Sequence, residues 1–304
     1  KPAGYRSMYF PAAGGLDALR RKLDAPELAD YKAVLLRGAA APRAGGESLR
    51  EATWAYVLTG QAEHRQAMLA ALDARIGVTD TLPAERPGFP GRLRQDLDIR
   101  EFKSHGVQEV AETYDLLGND LDAPRRDRIR YLLVRAVRNY LDRIRRNDWW
   151  YVYNPSNTVG VGSGTMGLCA LALRDDDPEL CRRAVDTAVR TIATAYRAVR
   201  GDGSCVEGSM YWNYGMSYPC LLGYALRNAT GTDRGLLSSP ALRNAHRYMA
   251  LNLGGDAQNV PFNDTQVWSM GWWLAAASGS EFDQPLMRWL ADRMAREYVA
   301  SGFP

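Results

Sequence analysis

Apolar residues recur at helical spacing along almost the entire chain, and this periodicity constrains the fold more than any other feature of the sequence. In the stretch 125–146 the apolar side chains lie three or four residues apart, and they are Ile129, Leu132, Leu133, Ala136, Val137, Tyr140 and Ile144. That spacing puts them on one face of an α-helix, while the Arg and Asp residues between them form a solvated face. The same reasoning predicts helices at 14–38, 46–59, 62–76, 103–117, 124–146, 162–174, 177–199, 218–228, 239–253, 266–278 and 284–300.

Helices of two compositions alternate along the chain. The segments 124–146 and 177–199 carry many charges, whereas 162–174 and 218–228 are small, apolar and almost uncharged. A helix that is apolar on every side must be shielded by other helices. Since strand-like alternation is scarce, we expect an all-α fold, with a single (α/α) toroid domain over 1–304 in which outer and inner helices pair as hairpins. The ends of the inner helices would then form a cleft.

The composition narrows the class of ligand. The net charge of +3 is small for a chain in which 24% of residues are charged, and a nucleic-acid-binding protein normally has a strong basic excess. No apolar stretch is long enough to span a membrane. The 16 Tyr and 8 Trp outnumber the 6 Phe. Because Tyr and Trp combine a flat apolar face with a hydrogen-bonding tip, this bias favours contact with sugar rings.

Three segments interrupt the helical pattern and concentrate Trp, Tyr, Asn and Gly. They are 147–158, 201–218 and 254–265. Each lies just before an inner-type helix, so we expect all three at one rim of the toroid. Helix N-termini at that rim would offer unpaired N–H groups to a carboxylate or a sulfate.

The stretch from Glu207 to Tyr218 reads Glu-Gly-x-x-Tyr-x-x-Tyr-Gly-x-x-Tyr and resembles the heparinase II/III-like polysaccharide lyases, which include alginate lyase-like (α/α) toroid domains. The resemblance extends over most of the chain. Its further elements are Tyr5 to Leu23, the Tyr114-Asp115-Leu116-Leu117 run, the Asn-rich entry to an inner helix that ends in Ala170 to Leu173, and the Phe262-Asn263-Asp264 turn.

The resemblance implies β-elimination on a uronic-acid-containing polysaccharide, of the glycosaminoglycan or alginate type. It assigns Tyr211 as the base and acid, ahead of Tyr214 and Tyr218, and Asn157 as the group that neutralises the uronate carboxylate. Many relatives have His after that Asn, where this chain has Thr158. The expected substrate contacts are His105, Trp149, Asn154, Glu207, Trp212, Tyr214, Tyr218 and Asn263.

The same resemblance implies a periplasmic or secreted protein that binds an acidic polysaccharide and neither nucleic acid nor membrane. It implies no cofactor for the toroid. The family also has a C-terminal β-sandwich, in which a structural metal would be conceivable, and we expect this chain to lack it because nothing strand-rich follows the last helix. Cys169, Cys181, Cys205 and Cys220 have no metal-binding or haem-binding spacing.

Other interpretations of the same residues remain open. The aromatic residues of 211–218 also suit a core stripe, and Asn157 also suits a helix N-cap. A glycoside hydrolase would need two carboxylic acids, for which Asp202, Glu207 and Asp264 are available. A uronyl C5-epimerase shares the proton-abstraction step, and a non-catalytic glycan-binding module needs no acid or base at all.

Overall fold

The computed structural model describes residues 7–10, 14–40, 49–81, 105–147, 155–197, 199–254, 260–261 and 272–300. These residues form twelve α-helices and one short 3-10 helix, Pro26–Leu28. In chain order the helices are α1 (Gly15–Leu23), α2 (Ala29–Ala40), α3 (Leu49–Thr59), α4 (Ala62–Thr81), α5 (His105–Leu117), α6 (Ala123–Arg145), α7 (Asn157–Ala172), α8 (Pro178–Tyr196), α9 (Gly208–Thr230), α10 (Pro240–Leu251), α11 (Trp272–Glu281) and α12 (Pro285–Ala300).

The described part of the chain is all-helical, as the sequence predicts. It contains no β-strand, and its nearest approach to one is an isolated bridge between Val199 and Cys205. None of the described helices has the length and apolar character needed to cross a membrane.

Several predicted helix boundaries are wrong. The helix expected at 162–174 begins at Asn157, the one expected at 62–76 extends to Thr81, and two others differ more. The helix expected at 14–38 is divided between α1 and α2, because Pro26 has no N–H and Ala25 before it takes the extended conformation (φ −67°, ψ 137°). The helix expected at 218–228 begins ten residues earlier, at Gly208. The tyrosines of the 201–218 segment therefore lie inside α9 and not in an irregular stretch before it.

Side-chain caps fix the starts of several helices. Asp122 accepts a hydrogen bond from the Arg125 amide at the start of α6, and Asp177 accepts one from the Leu180 amide at the start of α8. Both helices have Pro in the first turn, where a missing N–H costs nothing. At the other end of α9, Gly231 adopts a left-handed conformation (φ 86°) that L side chains rarely take.

The expected contrast between inner and outer helices is present. Every residue of α7 from Val159 to Ala172 is buried. In α6 the buried residues are Ile129, Leu132, Leu133, Ala136, Val137 and Tyr140, which all belong to the predicted apolar stripe. Charged side chains cover the other faces of α6 and α8.

The buried helices α5, α7 and α9 run parallel to one another. Along α7 and α9 the close contacts advance in the same direction, from Gly160 against Gly215, through Gly164 against Tyr218, to Gly167 against Leu222. From α5 to α7, Val107 contacts Cys169 and Asp115 contacts Arg174. Because α6 and α8 link these parallel helices, each of them returns in the opposite direction.

Two clusters of buried apolar side chains stabilise the fold, and α9 contributes to both. Its first half supplies Trp212 and Met216 to a cluster with α10, α11 and α12. Its second half supplies Leu222 and Leu226 to a larger cluster with α3 to α8. The helix that carries the predicted tyrosines is thus fixed along its length by packing on both sides.

Candidate functional site

The Glu207 carboxylate binds Asn157 through two hydrogen bonds. Oε2 accepts the Asn157 backbone N–H at 2.8 Å, and Oε1 accepts the side-chain Nδ2 of the same residue, also at 2.8 Å. Asn157 is the first residue of α7, and Glu207 directly precedes α9. The polar segments 147–158 and 201–218 therefore meet, as expected. Most of the third segment, 254–265, lies outside the described residues.

The position of Glu207 has a simple electrostatic reason. The first amides of a helix have no partner within the helix and give its N-terminus a partial positive charge. Here the carboxylate of Glu207, the N-cap residue of α9, accepts the first amide of α7 and makes no side-chain capping hydrogen bond to α9 itself. Glu207 supplies an acceptor to α7 that Ser156, its N-cap, does not supply from its own side chain. The capping interpretation of Asn157 is wrong, because its side chain donates to Glu207 instead of accepting from its own helix.

Gly215 allows α9 to pass directly over Asn157. A Cβ at Gly215 would lie 2.9 Å from the Asn157 Cα and 3.0 Å from its Cβ, which is closer than side chains tolerate. Tyr211 lies one turn before Gly215, so the two residues share a face of α9. Tyr211 is only partly buried. The glycine thus brings a tyrosine-bearing face of α9 next to the amide that Glu207 holds.

The helix α7 also has a glycine at this crossing, Gly160, and it lies against the Gly215 carbonyl and the Pro219 ring. Pro219 has no N–H to donate to the carbonyl of Gly215, four residues earlier in α9. That carbonyl oxygen lies close to Gly160, where an added Cβ would be only 2.3 Å from it. The helices can approach this closely because Gly160 has no side chain.

Tyr214 and Tyr218 form an edge-to-face pair, with ring centroids 5.7 Å apart and an interplanar angle of 84°. Burial raises the pKa of Tyr214, and the neighbouring Tyr211 raises it further. Burial, followed by the neighbouring Tyr214, also raises the pKa of Tyr218. A tyrosine that holds its proton more tightly is a poorer general base. The two residues therefore suit that role less than their position in the motif alone implies.

The substrate contacts expected for Trp212 and Tyr218 do not fit their burial. Trp212 is 1% exposed and belongs to the cluster with α10 to α12, which leaves no ring face for a sugar. Tyr218 is 6% exposed and packs against Gly164 of α7. For these two residues the core-stripe interpretation is correct, whereas Tyr211 and Tyr214 are only partly buried.

The structure gives less information on the other predicted substrate contacts. His105 begins α5, and its side chain is not described. Trp149, Asn154 and Asn263 lie outside the described residues. Their roles stay predictions. Glu207 directly precedes α9, and its carboxylate contacts Asn157.

Buried charges behind Tyr218 were not predicted from the sequence. Glu112 of α5 is 3% exposed, accepts two hydrogen bonds from the Arg50 guanidinium at 2.9 and 3.1 Å, and accepts a third from Gln108 at 2.9 Å. Arg50 and Glu112 also influence the pKa of Tyr218, in opposite directions. The available signal was the placement of Gln108, Glu112 and Asp115 on one face of a helix whose surroundings are apolar.

All four cysteines are buried and none forms a disulfide. Within the described ranges, no three His, Cys, Asp or Glu side chains come together in a way that could hold a metal ion.

A comparison with protein-family models finds no matching family, and a comparison with curated proteins finds no similar sequence.

Proposed function

We propose that this chain is a polysaccharide lyase that cleaves a uronic-acid-containing polysaccharide by β-elimination on an (α/α) toroid. The observation that carries the proposal is the position of Asn157, which Glu207 holds against the tyrosine-bearing helix α9. An amide donor and, one turn before the glycine that passes over it, a partly buried tyrosine are residue types that can supply the two functions this reaction requires.

The order of the helices supports the toroid. Three parallel buried helices, α5, α7 and α9, alternate with the charged helices α6 and α8. In addition, α12 contacts α2, so the last described helix packs against one of the first. Both features are expected of a ring of helical hairpins.

In the proposed reaction, Asn157 donates a hydrogen bond to the substrate carboxylate and lowers the barrier to loss of the C5 proton. Tyr211, as its phenolate, removes that proton. The electron pair of the C5–H bond forms the C4–C5 double bond while the C4–O bond breaks, and Tyr211 returns the proton to the departing oxygen. An amide can act in this way because it is fixed before the negative charge develops.

Glu207 is a positioning residue in this scheme. An amide nitrogen has two hydrogens, and Asn157 gives one of them to Glu207. The second hydrogen is thereby aimed in a defined direction and is available to the substrate. The negative charge of Glu207 would oppose a substrate carboxylate, but the N-termini of α7 and α9 partly offset it.

The alternatives are less well supported. A glycoside hydrolase needs a carboxylic acid that keeps its proton. Hydrogen bonds from Ser204, above all from its backbone N–H, instead lower the pKa of Asp202, and Glu207 is engaged with Asn157. A C5-epimerase uses the same base and is distinguished by its product. A glycan-binding module would bind but not cleave.

The proposal extends to glycosaminoglycan or alginate substrates and to a periplasmic or secreted location, both on the resemblance of the Glu207–Tyr218 segment.

The test is a panel of uronic polysaccharides incubated with the protein over a range of pH. A lyase produces an unsaturated uronide that absorbs in the ultraviolet, whereas a hydrolase, an epimerase or a binding module does not. We expect Tyr211→Phe to lower the rate about 100-fold or more, because general acid–base catalysis contributes about that much. Tyr131→Phe, at an exposed tyrosine of α6, is the matched control. Full activity in Tyr211→Phe would disprove the assignment of the base.

A further inference from the structure

A groove of about 740 Å³ lies between α6 and α8, on helices that carry none of the site residues above. Five arginine side chains line it, and they are Arg138, Arg145, Arg182, Arg183 and Arg190. The groove is open to solvent along the exposed faces of both helices.

Two of the acidic side chains in the groove are neutralised by arginines of their own helix. Asp142 contacts Arg145 at 2.6 Å and Arg146 at 2.7 Å. Glu179 contacts Arg182 at 2.8 Å.

The other two acids are engaged as well. Asp186 contacts Arg234, from outside the groove, at 3.0 Å, and more distantly Arg182 of its own helix, at 3.6 Å. Asp177 caps α8 through the amide of Leu180. Each of the four carboxylates that line the groove therefore already has a partner.

Three guanidinium groups remain for a ligand. Arg138, Arg183 and Arg190 are exposed, and none of them forms an ion pair with a carboxylate of the described residues. Among the described residues, Arg190 donates to the Thr187 hydroxyl alone, at 3.1 Å. Arg183 and Arg190 are seven residues apart, which is two helical turns or about 10 Å along one face of α8. Arg138 faces them from α6 across the groove.

We propose that this groove is a second, non-catalytic binding site for an acidic polysaccharide chain. Guanidinium groups bind carboxylates and sulfates with two parallel hydrogen bonds, which suits both kinds of anion on such a chain. Positive charges at separate points along an open groove match a polymer with anions at repeated intervals. The four carboxylates among them disfavour the denser charge of a nucleic acid backbone. The groove does not depend on the proposed lyase activity, although the choice of polysaccharide as its ligand draws on the same argument.

The experiment compares the full chain with a variant that carries Arg138→Gln, Arg183→Gln and Arg190→Gln. A control variant removes the same charge elsewhere, at the exposed arginines Arg21, Arg65 and Arg247. Binding of sodium alginate, which carries only carboxylates, and of heparin, which also carries sulfates, is measured by affinity electrophoresis at low and high salt. Thermal unfolding of each variant checks that it is folded.

We expect the groove variant to lose affinity about tenfold at low salt, because three exposed ion pairs of modest strength are removed. The control variant should lose much less, and the difference should shrink at high salt. Equal loss in the two variants would overturn the proposal, and so would a groove variant that binds like the unmodified chain. Duplex DNA bound more tightly than either polysaccharide, through the same three arginines, would overturn the choice of ligand.

Failure of the lyase proposal is distinguishable from failure of this one. Tyr211→Phe should keep the salt-dependent binding of both polysaccharides whether or not the unmodified chain cleaves them, because Tyr211 lies on α9, outside the groove. Conversely, the groove variant should cleave short oligosaccharides at an unchanged rate if the lyase proposal is correct.

Discussion

Glu207 and Asn157 are 50 residues apart in the sequence, and the Glu207 carboxylate accepts both the backbone and the side-chain N–H of Asn157 at 2.8 Å. The pair connects the start of α7 to the start of α9 and fixes which side of the Asn157 amide faces the carboxylate. In the proposed mechanism that orientation decides where the remaining N–H points.

Asn157→Asp should destabilise the protein more than Asn157→Ala does. The aspartate would place a second carboxylate against Glu207, whereas alanine removes only one hydrogen bond and leaves the backbone bond in place. The difference in the free energy of unfolding should be about 1–3 kcal/mol at neutral pH. It should decrease as the pH is lowered, because a proton shared by the two carboxyl groups removes the repulsion. Chemical denaturation at several pH values measures it, and a difference that does not vary with pH would contradict this interpretation.

Tyr218→Phe should lower any lyase activity much less than Tyr211→Phe does. Its phenol is 6% exposed and its pKa is raised by burial, so it stays neutral where a base must be ionised. We expect a change of less than about tenfold, against a loss of about 100-fold or more for Tyr211→Phe. The initial rate of ultraviolet absorption increase is the measurement. Equal losses in the two variants would indicate that the tyrosines act as one unit.

Gly160→Ala should destabilise the fold by about 1–3 kcal/mol, because the new Cβ would lie 2.3 Å from the Gly215 carbonyl oxygen and a backbone atom cannot easily move aside. Gly77→Ala is the matched control. Gly77 lies in α4, where an added Cβ would meet no other segment of the described residues within 4 Å, and alanine there should stabilise the helix by about 0.5–1 kcal/mol. Opposite shifts of the thermal unfolding midpoint are the expected result.

The stability of the Glu109→Gln variant, relative to that of the unmodified protein, should increase as the pH rises. Burial raises the pKa of Glu109 above its ordinary value of 4.5, and Arg75 at 2.9 Å opposes that shift only in part. The folded protein therefore holds this proton at a pH at which the unfolded chain has released it. The stability contributed by this group falls as the pH rises from about 4.5 through the raised pKa, and glutamine lacks this dependence. Denaturation of both proteins between pH 4 and pH 8, roughly the span over which perturbed carboxyl groups titrate, measures the effect.

The sequence predicted the helices well where the signal is a regular period. Each buried residue of the α6 stripe was predicted, because its apolar side chains recur every three or four residues along the sequence. The start of α9 was missed, because Gly201, Gly203, Gly208 and Asn213 read locally as a loop. Packing of Trp212 and Met216 against α10 to α12 outweighs that local preference.

The candidate site was also predicted only in part from the sequence. The motif from Glu207 to Tyr218 identified the segment, but not which side chains face solvent. Trp212 and Tyr218 turn inward because they share a helix face with core residues, and Tyr211 remains partly exposed. The Arg50–Glu112 pair gave no recognisable motif because its members lie 62 residues apart.

By itself, the sequence determined that the chain is helical, that α7 is an inner helix and that Asn157 lies close to its start, since these properties follow from local composition and helical period. Only the tertiary structure decided that the starts of α7 and α9 meet, that glycines at 160 and 215 let these helices approach, and that the carboxylate of Glu207 faces an amide. The physical reason is that hydrogen bonds and close packing between distant segments depend on distances that no local pattern encodes.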